Sequence, residues 1–281
     1  MDLLTLLEDW HLSLRAANKA PRTIDAYVEA GTKFAKFIGD KTQVNHRDIQ
    51  RYLVHLADTP HQRTGKRVTD SYVAGHYRRL QQFFRWLEEE GEITPSPFHR
   101  LKPPAVPVKP VPLLEDSEVR RLLNIRDKRS QALLRVLLDT GVRVSELVSM
   151  RRSNPALVHG KGRKERTVYW SDSTELALRR YLRTRTDNHE ALWVGAKGPL
   201  TTSGVRQIIE KLGDDAGISG LHPHMFRHLF AHNWMMAGGS EGDLMRLCGW
   251  SAREMVLRYG ASGADKRAEK AFRTLNVSAR Y

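Results

Sequence analysis

Seven of the twelve prolines in this 281-residue chain stand within eighteen residues: Pro95, Pro97, Pro103, Pro104, Pro107, Pro110 and Pro112. Proline lacks a backbone N–H and fixes φ, so neither a helix interior nor a central strand runs through such a segment, which favours an extended, semi-rigid connector. The length is about twice the usual domain size. The expected organisation is a first domain over residues 1–101, a proline-rich linker over 102–112 and a second domain over 113–281.

Ahead of the linker the apolar residues recur at helical spacing: Ile24, Tyr27, Val28, Phe34, Phe37 and Ile38, then Ile49, Tyr52, Leu53 and Leu56, then Val73, Tyr77, Leu80, Phe84 and Leu87. With residues 2–17 these stripes predict four helices whose apolar faces form the core of a small bundle. Beyond the linker a helix is expected over Leu113–Ile125, capped by Asp116 or Ser117, and another over Ser130–Asp139, ending before Gly141. Residues 156–170 change character, with β-favouring runs Leu157-Val158-His159 and Thr167-Val168-Tyr169-Trp170 around a basic tip, Gly160-Lys161-Gly162-Arg163-Lys164. That pattern predicts a hairpin. Helices are expected again near 173–185, 202–213, 223–238, 240–248, 252–259 and 264–275. The fold class is mainly α with a small β-sheet.

Net charge is +14 and the pI near 10.1, which points to a polyanionic partner. Residues 1–105 carry 16 basic against 13 acidic side chains, and the remainder 30 against 19, so the excess lies in the second half. One cysteine, Cys248, excludes an intramolecular disulfide framework. No apolar run approaches the roughly 18 residues of a membrane span, and the start Met-Asp-Leu-Leu lacks the basic opening of a secretory signal. The expectation is a soluble cytoplasmic protein with no membrane association.

Three strings in the basic half set polar residues at the edges of apolar stretches: Thr140-Gly141-Val142-Arg143-Val144-Ser145-Glu146-Leu147, His222-Pro223-His224-Met225-Phe226-Arg227-His228, and Leu247-Cys248-Gly249-Trp250 followed nine residues later by Tyr259. With Lys161 of the basic tip, Arg143, His224, Arg227, Trp250 and Tyr259 make an ordered set. In this it resembles the tyrosine site-specific recombinases of the phage-integrase and Xer class, over nearly the whole chain and most strongly from Thr140 to Gly260. The resemblance implies an N-terminal helical domain that binds the core DNA site and an α+β catalytic domain.

The residue types suit the chemistry that the resemblance implies. In-line attack on a phosphodiester builds negative charge on its equatorial oxygens, which fixed donors must stabilise. Arg143 and Arg227 correspond to the family's phosphate-clamping arginines, and a guanidinium fork donates two hydrogen bonds to phosphate oxygens. Glu146, three residues after Arg143, is placed to hold that guanidinium. Tyr259 corresponds to the nucleophile that leaves the DNA joined through a 3′-phosphotyrosine and releases a 5′-hydroxyl. The bond energy is conserved, so no nucleotide cofactor is needed for rejoining. A phenol with an ordinary pKa of about 10 needs a base or an electropositive pocket, and His224 is the candidate base. Trp250 stands where many relatives carry histidine, and an indole N–H donates to a phosphate oxygen without relaying a proton. Lys161 matches the hairpin lysine that protonates the leaving 5′-oxygen. Lys164 is the alternative, because the interval from Glu146 to Lys161 is several residues shorter than in typical relatives.

His224, His228 and His232 also recur every four residues, a spacing that can bind zinc. The His-Glu-x-x-His order of a hydrolytic metalloenzyme is absent, and the expectation is that no metal is used and that His228 and His232 pack or hydrogen-bond. The alternatives in function are a type IB topoisomerase-like strand relaxation and a non-catalytic DNA-binding regulator. The family resemblance further implies double-stranded DNA as partner, a homotetramer in the synaptic complex and strand exchange through a Holliday junction. In the family the segment after the tyrosine commonly docks on a neighbouring protomer. Ala264, Ala268, Ala271, Phe272 and Leu275 make an apolar stripe there, for which packing on its own domain is the alternative.

Overall fold

The computed structural model describes residues 2–41, 43–60, 65–107, 112–160, 165–260 and 263–275. The chain divides into two compact units, Met1–Lys109 and Pro110–Tyr281.

The first unit is a helical bundle of α1 (Leu3–Ala16), α2 (Pro21–Ile38), α3 (His46–Asp58) and α4 (Asp70–Glu89), followed by a short 3₁₀ turn over Pro97–Arg100. Each helix starts where its sequence satisfies the first free N–H groups. Asp2 accepts from Leu4 N at 3.0 Å, Pro21 opens α2 with a residue that has no N–H to satisfy, and Thr69 accepts from Tyr72 N at 3.2 Å. Asn45 and Asp48 form a reciprocal capping box at α3. The helical stripes turn inward, burying Leu7, Trp10, Ile24, Phe34, Ile49, Tyr52, Tyr77, Leu80, Phe84 and Leu87, but Phe37 of the expected stripe is left 37% exposed. Phe34 lies at the centre, edge-on to both Tyr52 and Phe84 at ring centroid distances of 5.2 and 5.7 Å.

Tyr52 and His76 form a buried polar pair in this bundle. Tyr52 Oη and His76 Nδ1 lie 3.2 Å apart, with both residues about 1% exposed. Burial pushes the Tyr52 phenol up, and it pushes His76 down to about 4, helped by Arg79 and Lys33 against an opposing pull from Glu29. A histidine whose pKa is lower folded than unfolded takes up its proton on unfolding, so stability is full above the unfolded value of about 6.5 and is lost as pH falls toward 4. Melting temperature should therefore fall between pH 6.5 and pH 4 in wild type, and fall less in His76→Gln, as followed by circular dichroism. Equal slopes for the two proteins would show that His76 does not set the acid sensitivity.

The second unit begins with α5 (Asp116–Leu123) and α6 (Lys128–Thr140). The cap of α5 is Glu115, one residue ahead of the expected Asp116 and two ahead of Ser117, where Glu118 accepts from the Glu115 N–H at 2.8 Å. A short helix, α7 (Val144–Ser149), precedes an antiparallel hairpin of β1 (Leu157–His159) and β2 (Glu165–Thr167), in which Val158 pairs with Arg166. The tip carrying Lys161 and Lys164 lies outside the described residues. After α8 (Asp172–Leu182) comes a second two-stranded sheet, β3 (Val194–Gly195) with β4 (Gly198–Pro199), which the sequence does not announce. The remainder is helical: α9 (Thr202–Asp215), α10 (Pro223–Met236), α11 (Glu241–Cys248), α12 (Glu254–Gly260) and α13 (Ala264–Leu275).

The larger core of this unit gathers residues from α5 to α10, including Leu133, Leu137, Val158, Trp193, Ile209 and Phe226. A smaller cluster of Ala231, Leu244, Cys248, Trp250, Val256 and Tyr259 joins α10, α11 and α12. The stripe on α13 is not buried against its own unit: Phe272 and Leu275 are 71% and 72% exposed. No helix among the described residues is long and apolar enough to cross a membrane.

Candidate active site

The site is organised around two helix C-termini. At the first, α6 stops at Gly141, whose φ of 55° is left-handed and whose N–H returns to Leu137 O at 3.0 Å. At the second, α11 ends in a Schellman turn. Gly249, at φ 61°, donates to Arg246 O (3.1 Å), and Trp250 donates to Met245 O (2.9 Å). Among the described residues no loop or turn N–H donates to the next three carbonyls, of Leu247, Cys248 and Gly249.

Each of the three accepts from a different arginine. Arg166 Nε on β2 donates to Leu247 O (3.0 Å), Arg227 Nη2 on α10 to Cys248 O (2.6 Å), and Arg143 Nη2 at the start of α7 to Gly249 O (3.3 Å). The negative end of a helix dipole favours cations, so guanidiniums are the natural caps here. Arg227 also donates through Nη1 to Gly141 O at 2.7 Å, tying the end of α6 to the end of α11. It is 1% exposed, and burial pulls its pKa below the usual arginine value, though a guanidinium stays charged at neutral pH. Burial likewise pushes the adjacent Cys248 thiol up, opposed by Arg227, Arg166 and Arg143.

Among the described residues one buried carboxylate offsets part of this charge. Glu146, 2% exposed, takes Arg143 N and Arg143 Nη1 at 2.8 and 2.9 Å, and Arg166 Nη2 at 3.0 Å. The spacing of Arg143 and Glu146 in the sequence implies their pairing. What it does not show is that Arg143 is the N-cap of α7, fixed at its backbone as well as its side chain.

Three rings enclose Tyr259 on α12. His224 and His228 lie one turn apart on α10, beside Arg227 on the same face. His224 Nε2 is 2.6 Å from Tyr259 Oη, a hydrogen bond in which the phenol donates when Nε2 is unprotonated. His228 stacks on the Tyr259 ring at 4.0 Å and 20°, and Trp250 meets it at 4.7 Å and 38°. Trp250 in turn lies 5.1 Å beneath the Arg227 guanidinium, within the range of a cation–π contact. Its Nε1 is buried and has no hydrogen-bond partner among the described residues, as is the case for Nη1 of Arg166.

Five of the six residues singled out in the sequence therefore converge: Arg143, His224, Arg227, Trp250 and Tyr259. Lys161 falls outside the described residues, as does its alternative Lys164. Arg166 was not anticipated, whereas His228, expected to pack or hydrogen-bond, does so by stacking on Tyr259. Arg166 follows a basic tip in which it is one cation among several, and its strand is too short for a pattern. Among the described residues no three His, Cys, Asp or Glu side chains are arranged to hold a metal ion.

The αL geometry at Gly141 gives a direct test of this scaffold. A β-carbon there would meet Phe230 Cδ1 at 2.8 Å, on a backbone that already disfavours L side chains. Gly141→Ala is expected to cost about 1–3 kcal/mol, lowering Tm by roughly 3–10 °C, and to slow catalysis because the carbonyl holding Arg227 shifts. An unchanged Tm in thermal unfolding would contradict the assignment.

The phage integrase family model matches residues 112–265, and the model of the phage integrase N-terminal SAM-like domain matches residues 6–92. Tyrosine recombinase XerC of Oceanobacillus iheyensis is 31% identical over 260 residues, covering 83% of this chain and 83% of the relative. Two solved structures share the fold. XerH site-specific recombinase bound to palindromic difH substrate in a post-cleavage complex has a TM-score of 0.69 at 17% identity, covering 95% of this chain and 83% of that one. The lambda integrase tetramer bound to a Holliday junction has a TM-score of 0.74 at 16% identity, covering 91% and 76%. With one family model spanning more than half its length and XerC aligned across both of its units, the chain belongs to the phage integrase family and is a tyrosine site-specific recombinase.

Proposed function

We propose that the chain cleaves and rejoins double-stranded DNA with Tyr259 as nucleophile, and that Arg143, His224, Arg227 and Trp250 form the rest of the described catalytic set. The observation that carries this reading is the 2.6 Å contact between Tyr259 Oη and His224 Nε2, beside the buried guanidinium of Arg227. The phenol gives its proton to His224 as Oη attacks phosphorus. The P–O5′ bond breaks, and the DNA stays attached as a 3′-phosphotyrosine. Arg143 and Arg227 bear the charge that grows on the non-bridging oxygens, and Trp250, packed against the Arg227 guanidinium and the Tyr259 ring, holds both in place. The 5′-oxygen takes its proton from Lys161, or from Lys164 in its place. Attack by a 5′-hydroxyl from another strand reverses every step, so neither a metal nor a nucleotide enters the scheme.

Residues 1–101 are assigned to core-site binding, 102–112 to the linker and 113–281 to catalysis. The XerH complex with difH and the lambda integrase tetramer on a Holliday junction support a DNA substrate and a homotetrameric synapse here. The exposed Phe272 and Leu275 on α13 suit docking on a neighbouring protomer. Much of the affinity would come from phosphate contacts and would fall steeply with salt.

The test is covalent trapping with nicked fragments of the DNA flanking the native gene, in the presence of chelator. Detergent-resistant protein–DNA adducts are expected. Intact strands on DNA that the protein binds specifically would favour the regulator alternative, and relaxation of a supercoiled plasmid carrying the same site without exchange of partners would favour the topoisomerase-like one.

A further inference from the structure

We propose that Arg166 is a positioning residue for the cleavage step, which it serves by fixing the two groups that aim Arg143; the inference rests on the reading above that the arginine cluster acts on a scissile phosphate. Of the three guanidiniums on the end of α11, Arg143 is the one whose side chain remains accessible, at 36% against 14% for Arg166. An accessible, rotamer-rich side chain stabilises a transition state only if its direction is set beforehand. Two acceptors set it: Glu146 Oε1 at 2.9 Å and Gly249 O at 3.3 Å.

Arg166 braces both. Its Nη2 holds the other carboxylate oxygen of Glu146 at 3.0 Å, and its Nε holds Leu247 O, two residues before Gly249, at 3.0 Å. The packing at Gly249 is close enough to transmit this: a β-carbon there would lie 3.2 Å from Arg166 Nε and 3.7 Å from Arg143 Nη1. Arg166 reaches these groups from β2, so it also fastens the base of the hairpin to α11. A direct phosphate contact does not fit, because its remaining nitrogen, Nη1, is shielded from solvent. Lysine is no substitute, since one ammonium does not reproduce a planar fork engaging a carboxylate and a carbonyl in fixed directions.

The experiment compares single-turnover cleavage by wild type, Arg166→Met and Arg166→Lys on two substrates, one with an ordinary scissile phosphodiester and one with a neutral methylphosphonate at that position. On the phosphodiester both variants should be slowed roughly 10- to 100-fold with DNA affinity unchanged. On the methylphosphonate, which carries no non-bridging charge for Arg143 to neutralise, the defect should shrink by about tenfold. Wild-type rates in both variants would overturn the proposal, as would an equal defect on the two substrates. Thermal unfolding is measured alongside: if Arg166→Met is unfolded, Arg166→Lys decides, and failure of both to fold would make Arg166 purely structural and overturn it too. A Tyr259→Phe control separates the two levels, because adducts persisting there would strike the nucleophile assignment irrespective of Arg166.

Discussion

Tyr259→Phe is expected to bind DNA like wild type and to form no covalent adduct with it. The substitution removes one oxygen and keeps the ring, so stacking on His228 and the contact with Trp250 survive. Among the described contacts the hydrogen bond to His224 is lost, a change of about 1 kcal/mol in stability. Cleavage should fall on the order of 10⁶-fold, the scale at which a covalent nucleophile contributes. Folding and chemistry are thus affected very unequally. Gel-shift affinity, Tm and adduct yield measured on one preparation would show this. A variant that loses affinity or Tm along with cleavage would mean that the phenol oxygen holds the fold, contrary to its place at the edge of the aromatic cluster.

Arg227→Met should damage both. The wild-type side chain donates to Gly141 O and Cys248 O at 2.7 and 2.6 Å, and methionine leaves two carbonyls at helix C-termini unsatisfied. A stability loss of about 2–4 kcal/mol is expected, partly offset because a buried cation no longer has to be desolvated. Cleavage should fall by roughly 10²- to 10³-fold or more, as when a fixed donor to a developing negative charge is removed. Arg227→Lys divides the two effects. It keeps the charge but spans only one of the carbonyls, so stability should recover in part while cleavage stays low. Cleavage restored by lysine would show that charge alone suffices and that the guanidinium fork is not what the site requires.

The sequence discloses this site unevenly, for physical reasons. The four helices of the first unit are legible because each buries a stripe at 3.6-residue spacing, from Leu7 and Trp10 to Phe84 and Leu87. Arg143, His224, Arg227 and Trp250 are legible because they stand within about a turn of helix boundaries marked by Gly141, Pro223 or Gly249, and Tyr259 by its interval of nine residues from Trp250. Hidden from the sequence is the role of the backbone. The carbonyls of Gly141, Leu247, Cys248 and Gly249 organise the arginines, yet a carbonyl has no letter. Arg166 escapes notice because a three-residue strand shows no period, and the hydrogen bonds that give it a role cross 81 and 20 positions of chain. Helix α7, six residues long, is likewise too short for a stripe. Its start is set instead by Glu146 folding back onto Arg143 N.

The most direct single test is to isolate the wild-type protein–DNA adduct, digest both components and locate the linkage by mass spectrometry. The expected product is a nucleotide joined through its 3′-phosphate to the peptide containing Tyr259. A 5′-phosphate linkage, or attachment to a histidine, a serine or another tyrosine such as Tyr281, would contradict the mechanism at its first step.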